Sequence, residues 1–112
     1  MEKNKSHYQA ITIHRDITPN ESEKESIREY FYEEFRLNPF KEIDVSYDEK
    51  EGYILLIIFN VHTFDDTSVK NIVNFLADTL KVDTKAITIQ VLLPKKTQFF
   101  IWPLGWKEQS EK

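Results

Sequence analysis

The sequence predicts an α+β fold in which an antiparallel sheet carries two helices on one face. Two long helical patterns each lie between strand-like runs, and the order β α β β α β β takes up almost all of the 112 residues. The two strand-helix-strand halves, 8–48 and 52–93, also have similar lengths. A mixed order of this kind, joined by short turns, is typical of a sheet that packs its helices on one side.

The chain has the size of one domain, and we expect a single domain over 1–112 with flexible polar ends at 1–6 and 107–112. It has no cysteine, which excludes disulfides and cysteine-ligated zinc. The polar start lacks the apolar segment of a signal peptide, and no run approaches the ~20 apolar residues that span a bilayer. We therefore expect a cytoplasmic protein with no membrane partner.

The first strand is predicted at 8–15, where Ile11 and Ile13 share one face. The first helix follows at 19–37, because Thr18 and Glu21 have the spacing of a capping box and a proline stands at the first helical position. It should end before the next proline, since the preceding residue is disfavoured in the α region.

The second and third strands form a predicted hairpin. In the second strand, 43–48, apolar residues alternate with Asp and Ser, as expected at the edge of a sheet. Gly52 suits the turn because glycine tolerates positive φ. The third strand, 53–61, is apolar on both faces: Tyr53, Leu55, Ile57, Phe59 and Val61 share one face, and Ile54, Leu56 and Ile58 share the other.

The second helix is predicted at 66–81, after several residues that can cap it. Six apolar residues recur in it with helical spacing: Val69, Ile72, Val73, Leu76, Ala77 and Leu80. Strands at 86–93 and 98–102 follow, with a turn at 94–96 between them. The whole order predicts a two-layer sandwich, a ferredoxin-like βαββαβ unit with an extra C-terminal strand.

The third strand poses a packing problem. Helices cover only one face of such a sheet, and each large apolar side chain left in water forgoes about 1.5–3 kcal/mol of burial. A second copy of the chain, the C-terminal segment or a ligand would each cover the other face. We expect a homodimer, and the other two remain alternatives.

The C-terminal run 99–106 is rich in aromatic residues. Two roles fit them, since they can fill the domain's own core or anchor a partner protein. Trp106, which follows a proline and precedes a charged tail, is the best candidate for a contact residue. Tyr32 and Phe75 lie off the apolar stripes of their helices and should be exposed. The candidate protein interface comprises Trp106, Trp102, Phe100, Phe75, Tyr32, Glu29 and Glu33.

The negative charge is concentrated in two segments. Residues 21–34 hold six acidic and two basic residues, and 42–51 hold five acidic and one basic, so each carries −4, as does the whole chain. An acidic surface disfavours nucleic acid, whose binding depends on phosphate neutralisation. It suits a partner protein with a basic surface.

Glu34 falls near the centre of the apolar stripe of the first helix. If the helix end is buried, the pKa of this carboxyl should be raised, a condition suited to proton transfer. If the helix end projects past the sheet, Glu34 lies in water.

The sequence contains no complete motif for RNA, metal or phosphate binding. The segment 50–55 lacks the second stacking aromatic of an RNA-recognition strand, since Leu55 stands in its place. The three histidines lack metal-ligand spacing, and two glycines cannot form a phosphate-binding loop. We therefore assign no catalytic residue, no metal and no cofactor.

Two functions from different classes fit these observations. The leading hypothesis is a small acidic protein-binding module without catalysis, such as an inhibitor, an immunity protein or an accessory factor of a phage or mobile element. The alternative is a cofactor-independent enzyme or small-ligand sensor with a pocket between the sheet faces of a dimer. Its candidate pocket residues are Tyr8, Thr12, His14, Thr88, Gln90 and Glu34.

Overall fold

The structure is a computed structural model that describes residues 8–59, 64–93, 96–101 and 105–110. It contains two α-helices and six strands in the order β1 Tyr8–Ile13, α1 Glu21–Phe35, β2 Ile43–Asp48, β3 Tyr53–Phe59, α2 Asp66–Leu80, a 3-10 turn Thr84–Ala86, β4 Ile87–Leu93, β5 Lys96–Ile101 and β6 Gly105–Ser110. The prediction of an α+β chain with an antiparallel sheet and two helices is confirmed. None of the helices in these four ranges is long and apolar enough to cross a bilayer.

The six strands form one sheet in the order β2-β3-β1-β4-β5-β6, and every neighbouring pair is antiparallel. β1 lies between β3 and β4, while β2 and β6 are the edges. The alternation predicted for β2 therefore belongs to an edge strand, as the sequence indicated.

The core lies between the two helices and one face of the sheet, here called the inner face. Pairing in register places Ile11 beside Leu56 and Ile89, and all three are buried. The same hydrophobic cluster contains the inward side chains of α1, Ile27 and Phe31. Five of the six apolar residues predicted to form the stripe of α2 are buried in it as well: Val69, Ile72, Val73, Leu76 and Leu80.

The capping box of α1 lies two residues later than predicted. Asn20, not Thr18, is the N-cap: its Oδ1 accepts from the Glu23 amide at 2.8 Å, while the Glu23 carboxylate accepts from the Asn20 amide at 3.0 Å. The helix also ends earlier, because Arg36 adopts a left-handed conformation with φ 58°. The sequence therefore predicted a capping box correctly but placed it at Thr18 and Glu21 instead of Asn20 and Glu23.

The C-terminal part of the chain extends the sheet by two strands, where the sequence predicted one. β6 includes residues 107–110, which we expected to be a flexible end. Gly105 begins β6 at φ 125°, and a Cβ there would come within 3.2 Å of Asp66 Oδ2. The predictions for residues 1–6, Val61, the turn residues 94 and 95, Trp102 and residues 111–112 lie outside the described residues.

Candidate protein-interaction site

The sheet face turned away from the helices, here called the outer face, carries apolar side chains along β3. Leu55 and Ile57 are half-buried, and Phe59 is 37% exposed. The described residues of β5 and β6 lie beside the other strands and extend the sheet. This part of the C-terminal segment therefore does not fold back across the outer face, as one of the alternatives required.

The strand register brings several of the predicted pocket residues together on the outer face. Thr12 of β1 is paired with Thr88 of β4. Two residues further along each strand, Ala10 is paired with Gln90. Another two residues along, Tyr8 is paired with Leu92, although the side chain of Tyr8 is not among those that the structure describes. His14 is exposed and meets the Tyr53 ring edge-on, with ring centroids 5.9 Å apart.

Glu34 does not join this group. It lies on α1, which packs against the inner face, and it is exposed. The structure therefore places Glu34 apart from the other candidate pocket residues, at a helix end exposed to water, which was the alternative considered for it.

Of the predicted contact aromatics, Phe100 belongs to the domain's own core and Trp106 is partly buried against it. Phe100 is only 6% exposed, and the Trp106 ring meets it edge-on at a centroid distance of 5.5 Å. The indole Nε1 of Trp106 donates to the Phe64 carbonyl oxygen at 2.8 Å. These residues face inward because β5 and β6 continue the alternation of the sheet, so neither is the free anchor that the sequence suggested.

Phe75 is likewise not a lone exposed aromatic. Its ring stacks on Tyr30 of α1 with centroids 4.1 Å apart and planes inclined by 8°. It lies off the stripe of α2 because it packs against α1 instead of the sheet. Burial, and then the nearby Glu34 charge, raise the pKa of Tyr30.

The remaining predicted interface residues lie on the exposed side of α1. Tyr32 is 48% exposed, and Glu29 and Glu33 are exposed. A groove of about 540 Å³ runs along this side, here called the α1 groove, and its lining residues are Glu21, Ser22, Glu25, Ser26, Arg28, Glu29, Tyr32, Pro39 and Phe40. A second hollow of about 390 Å³ adjoins it and is lined by Ser26, Glu29, Tyr30, Glu33, Glu34 and Phe75.

The α1 groove is acidic and has an apolar rim. Three glutamates line it at helical spacing against one arginine, Arg28. Lys24, whose Nζ lies 3.4 Å from the Glu21 carboxylate, offsets part of this charge, but the pair is weak because the Glu21 side chain is 88% exposed. Helix positions four apart lie on one face, which is why acids scattered along the sequence meet here.

Phe40 is the residue of this site that the sequence analysis missed. It is 84% exposed at the far wall of the α1 groove. Its position is fixed by the loop, because Asn38 Oδ1 accepts from the Phe40 amide at 2.9 Å and Glu42 accepts from the Asn38 amide at 2.7 Å. A phenylalanine directly after a proline in an otherwise polar loop was the available signal.

Comparison with known proteins identifies no relative of this chain. The chain matches no protein-family model, no curated protein and no solved structure. Within the four described ranges, no group of three His, Asp or Glu side chains is placed to hold a metal ion. The geometry itself offers a groove lined by three glutamates and by the exposed aromatic residues Tyr32 and Phe40.

Proposed function

We propose that this chain is a small protein-binding module that acts by contact, with the α1 groove as its docking site for a basic segment of a partner protein. The observation that carries the proposal is the combination of Glu21, Glu25 and Glu29 with exposed Tyr32 and Phe40 in one concave surface. Acidic side chains attract and orient a basic partner, and desolvated aromatics supply most of the binding energy.

The exposure of Phe40 supports this assignment. A phenylalanine that leaves 84% of its surface in water gains little for folding. The hydrogen bonds around Asn38 nevertheless hold its loop in one conformation, so a partner would meet a pre-ordered residue. Pre-ordering lowers the entropy cost of binding.

The negative charge of the groove defines the chemistry of the partner. An arginine-rich segment suits it because the glutamates can accept bidentate hydrogen bonds from guanidinium groups. Tyr32 is already approached by Arg36, whose guanidinium carbon lies 5.7 Å from the ring centroid. This contact supports the proposal that a cation of the partner could pack on an aromatic ring of the groove.

A titration with peptides of defined composition tests the proposal. The 15N-labelled protein is titrated with a short peptide of arginine and leucine, and separately with a peptide of the same length in which glutamate replaces arginine. We expect the basic peptide to shift amide resonances along α1 and around Phe40, and the acidic peptide to leave them unchanged. Equal shifts with both peptides would reject charge complementarity as the basis of binding.

Matched variants locate the site. Glu25→Lys combined with Glu29→Lys should weaken binding of the basic peptide, as should Phe40→Ser, which removes the apolar wall of the groove. Glu51→Lys is the control, because Glu51 is exposed in the β2-β3 turn and does not line the groove. If this control lowers affinity as much per charge as the α1 variants, binding follows net charge and the groove is not the site.

The proposal extends to the architecture. The order β2-β3-β1-β4 with two helices packed on the inner face fits a ferredoxin-like two-layer sandwich, to which β5 and β6 add a second edge. In that arrangement the helices are free to present α1 to a partner while the outer face remains available for a different contact.

A further inference from the structure

One row of side chains crosses the whole outer face and has opposite charges at its two ends. The pairing of the six strands places these residues side by side at the same level: Asp44, Ile57, Ala10, Gln90, Phe99 and Lys107. Asp44 and Lys107 are exposed, and neither has a salt-bridge partner in the part of the chain that the structure describes. Ile57 and Phe99 are half-buried.

This row is complementary to itself. A twofold axis parallel to the strands, passing between β1 and β4, reverses the order of the strands in the facing copy. Ile57 of one copy then faces Phe99 of the other, and Asp44 faces Lys107, each twice. From these pairings we infer that the outer face binds a second copy of this chain, sheet against sheet, about such an axis.

The alternative twofold axis, perpendicular to the strands, is less favourable. It would place β2 over β2 and β6 over β6, so that each edge faces an edge of the same sign. Like charges in such positions oppose association. The axis parallel to the strands instead pairs the acidic edge with the basic one, and two sheets about 10 Å apart are close enough for lysine and aspartate side chains to meet.

The area is sufficient for a dimer. Six strands about 4.8 Å apart and about 20 Å long give a face of about 600 Å² per copy, or about 1,200 Å² in total. Stable interfaces begin at about this size. The contact would cover Leu55, Ile57 and Phe59, whose outward side chains the helices leave uncovered.

The centre of this interface is polar. Thr12, Thr88 and Gln90 lie next to the axis, where Thr12 of one copy would face Thr88 of the other and Gln90 would face Ala10. Polar groups at such a position must find hydrogen-bond partners when water leaves, and hydroxyl and amide groups from two copies can supply them. The pocket of the alternative hypothesis would lie at this point.

Sedimentation velocity over a concentration series, with charge reversals at the two ends of the row, tests the inference. The wild-type chain should dimerise. Asp44→Lys or Lys107→Asp alone should weaken dimerisation about tenfold or more, because each places like charges in contact twice. The double variant should recover the wild-type constant to within about threefold, since it only exchanges the two charges.

Two further variants complete the test. Phe99→Ser should weaken the dimer and leave the fold intact, as checked by circular dichroism. Asp78→Lys is the control, because Asp78 is exposed on α2 away from the sheet and should leave dimerisation unchanged.

Each other outcome overturns the inference. A wild-type chain that stays monomeric at high concentration leaves the outer face to a foreign protein or a ligand. Single charge reversals that leave association unchanged while Phe99→Ser weakens it indicate the perpendicular axis, because that axis pairs each edge with itself and a reversal only replaces one pair of like charges by another. A dimer that none of these variants affects lies elsewhere. None of these results bears on the α1 groove, which lies on the helical side and has its own variants.

Discussion

Arg15 and Glu23 form a bidentate ion pair that ties the end of β1 to the first turn of α1. The guanidinium nitrogens donate to both carboxylate oxygens at 2.9 and 3.0 Å, and the two side chains are only 13% and 19% exposed. Arg15 also donates to the carbonyl oxygen of Leu80 at the end of α2, at 3.0 Å. One guanidinium therefore joins a strand to both helices.

Replacement of Arg15 should destabilise the fold more than loss of a surface ion pair. Arg15→Met removes the Arg15 donor of the Leu80 carbonyl and leaves the mostly buried Glu23 carboxylate with only the Asn20 amide, so we expect a loss of about 2 kcal/mol in the free energy of unfolding. Urea denaturation measures it. Lys24→Met is the control, because its pair with the highly exposed Glu21 should contribute less than about 0.5 kcal/mol. Equal effects would show that the Arg15 network adds nothing beyond a surface contact.

The same pair should give the protein a specific sensitivity to acid. The hydrogen bonds from Arg15, together with the Asn20 amide, lower the pKa of Glu23 in the folded state against the opposing effect of burial. Because the folded pKa lies below the unfolded one, this stabilisation is fully present above about pH 4.5 and is lost as the pH falls through the folded value.

Glu23→Gln removes this titration and keeps a side chain that can complete the capping box. We expect the variant to be less stable than wild type near pH 7, with the difference shrinking as the pH falls below the ordinary glutamate pKa. Denaturation at a series of pH values measures the difference. The pKa of Asp65 is also lowered, by hydrogen bonds from Ser68, so part of the acid dependence should remain in the variant. A stability difference that stays constant with pH would contradict the assignment.

The parts of the fold that depend on local pattern could be predicted from the sequence. Alternation placed Ile11 and Ile13 on one face of β1, and Ile54, Leu56 and Ile58 on one face of β3, and all five are fully buried. The left-handed turn at Gly52, with φ 75°, was predictable from the need for positive φ between two strands.

The start of α1 could not be predicted from local pattern alone. Thr18 and Asn20 are both good caps, and each is followed three residues later by a glutamate. The choice depends on Arg15, which reaches Glu23 from another element. A long-range contact of this kind has no signature in the segment that it fixes.

The candidate site was predictable only in part, for a similar reason. The acidic side of α1 follows from helical spacing, but the wall formed by Phe40 depends on how the next loop returns past the helix. β6 escaped prediction because its sequence, Gly105–Ser110, contains one large apolar residue and no alternation. The row from Asp44 to Lys107 depends on five strand registers at once, which no single segment encodes.

Gly52→Ala should destabilise the β2-β3 turn. The backbone there has φ 75°, and an added Cβ would approach Asp16 Oδ1 to 3.3 Å. Asp16 cannot withdraw freely, because its Oδ1 accepts from the Tyr47 hydroxyl at 3.0 Å. We expect a loss of about 1–2 kcal/mol. Gly52→Asn should cost less, since asparagine tolerates the left-handed region, and thermal unfolding of both variants checks the order.

Trp106 should hold β6 to the rest of the domain. Trp106→Phe keeps a ring beside Phe100 but removes the hydrogen bond to the Phe64 carbonyl, and we expect it to cost about 1–2 kcal/mol. Trp106→Ala should cost more, because it also removes the ring. Hydrogen exchange of the β6 amides gives a second measurement: protection in the wild type should fall in both variants. If the β6 amides that face β5 are unprotected in the wild type, β6 is not paired with β5 as described.

The stack of Tyr30 on Phe75 joins α1 to α2. The pKa of Tyr30 is raised by two separate causes, which two variants can distinguish. Burial is the larger cause of the raised Tyr30 pKa, and the Glu34 charge is the smaller. Phe75→Ala opens the stack to water, so the Tyr30 pKa should fall toward its ordinary value. Glu34→Gln should lower it by a smaller amount, because it removes only the charge. NMR titration of the tyrosine ring signals, which resolves Tyr30 from the other tyrosines, measures both shifts. If Glu34→Gln has the larger effect, the ring is more exposed than the stack allows and the contact between the helices is looser than described.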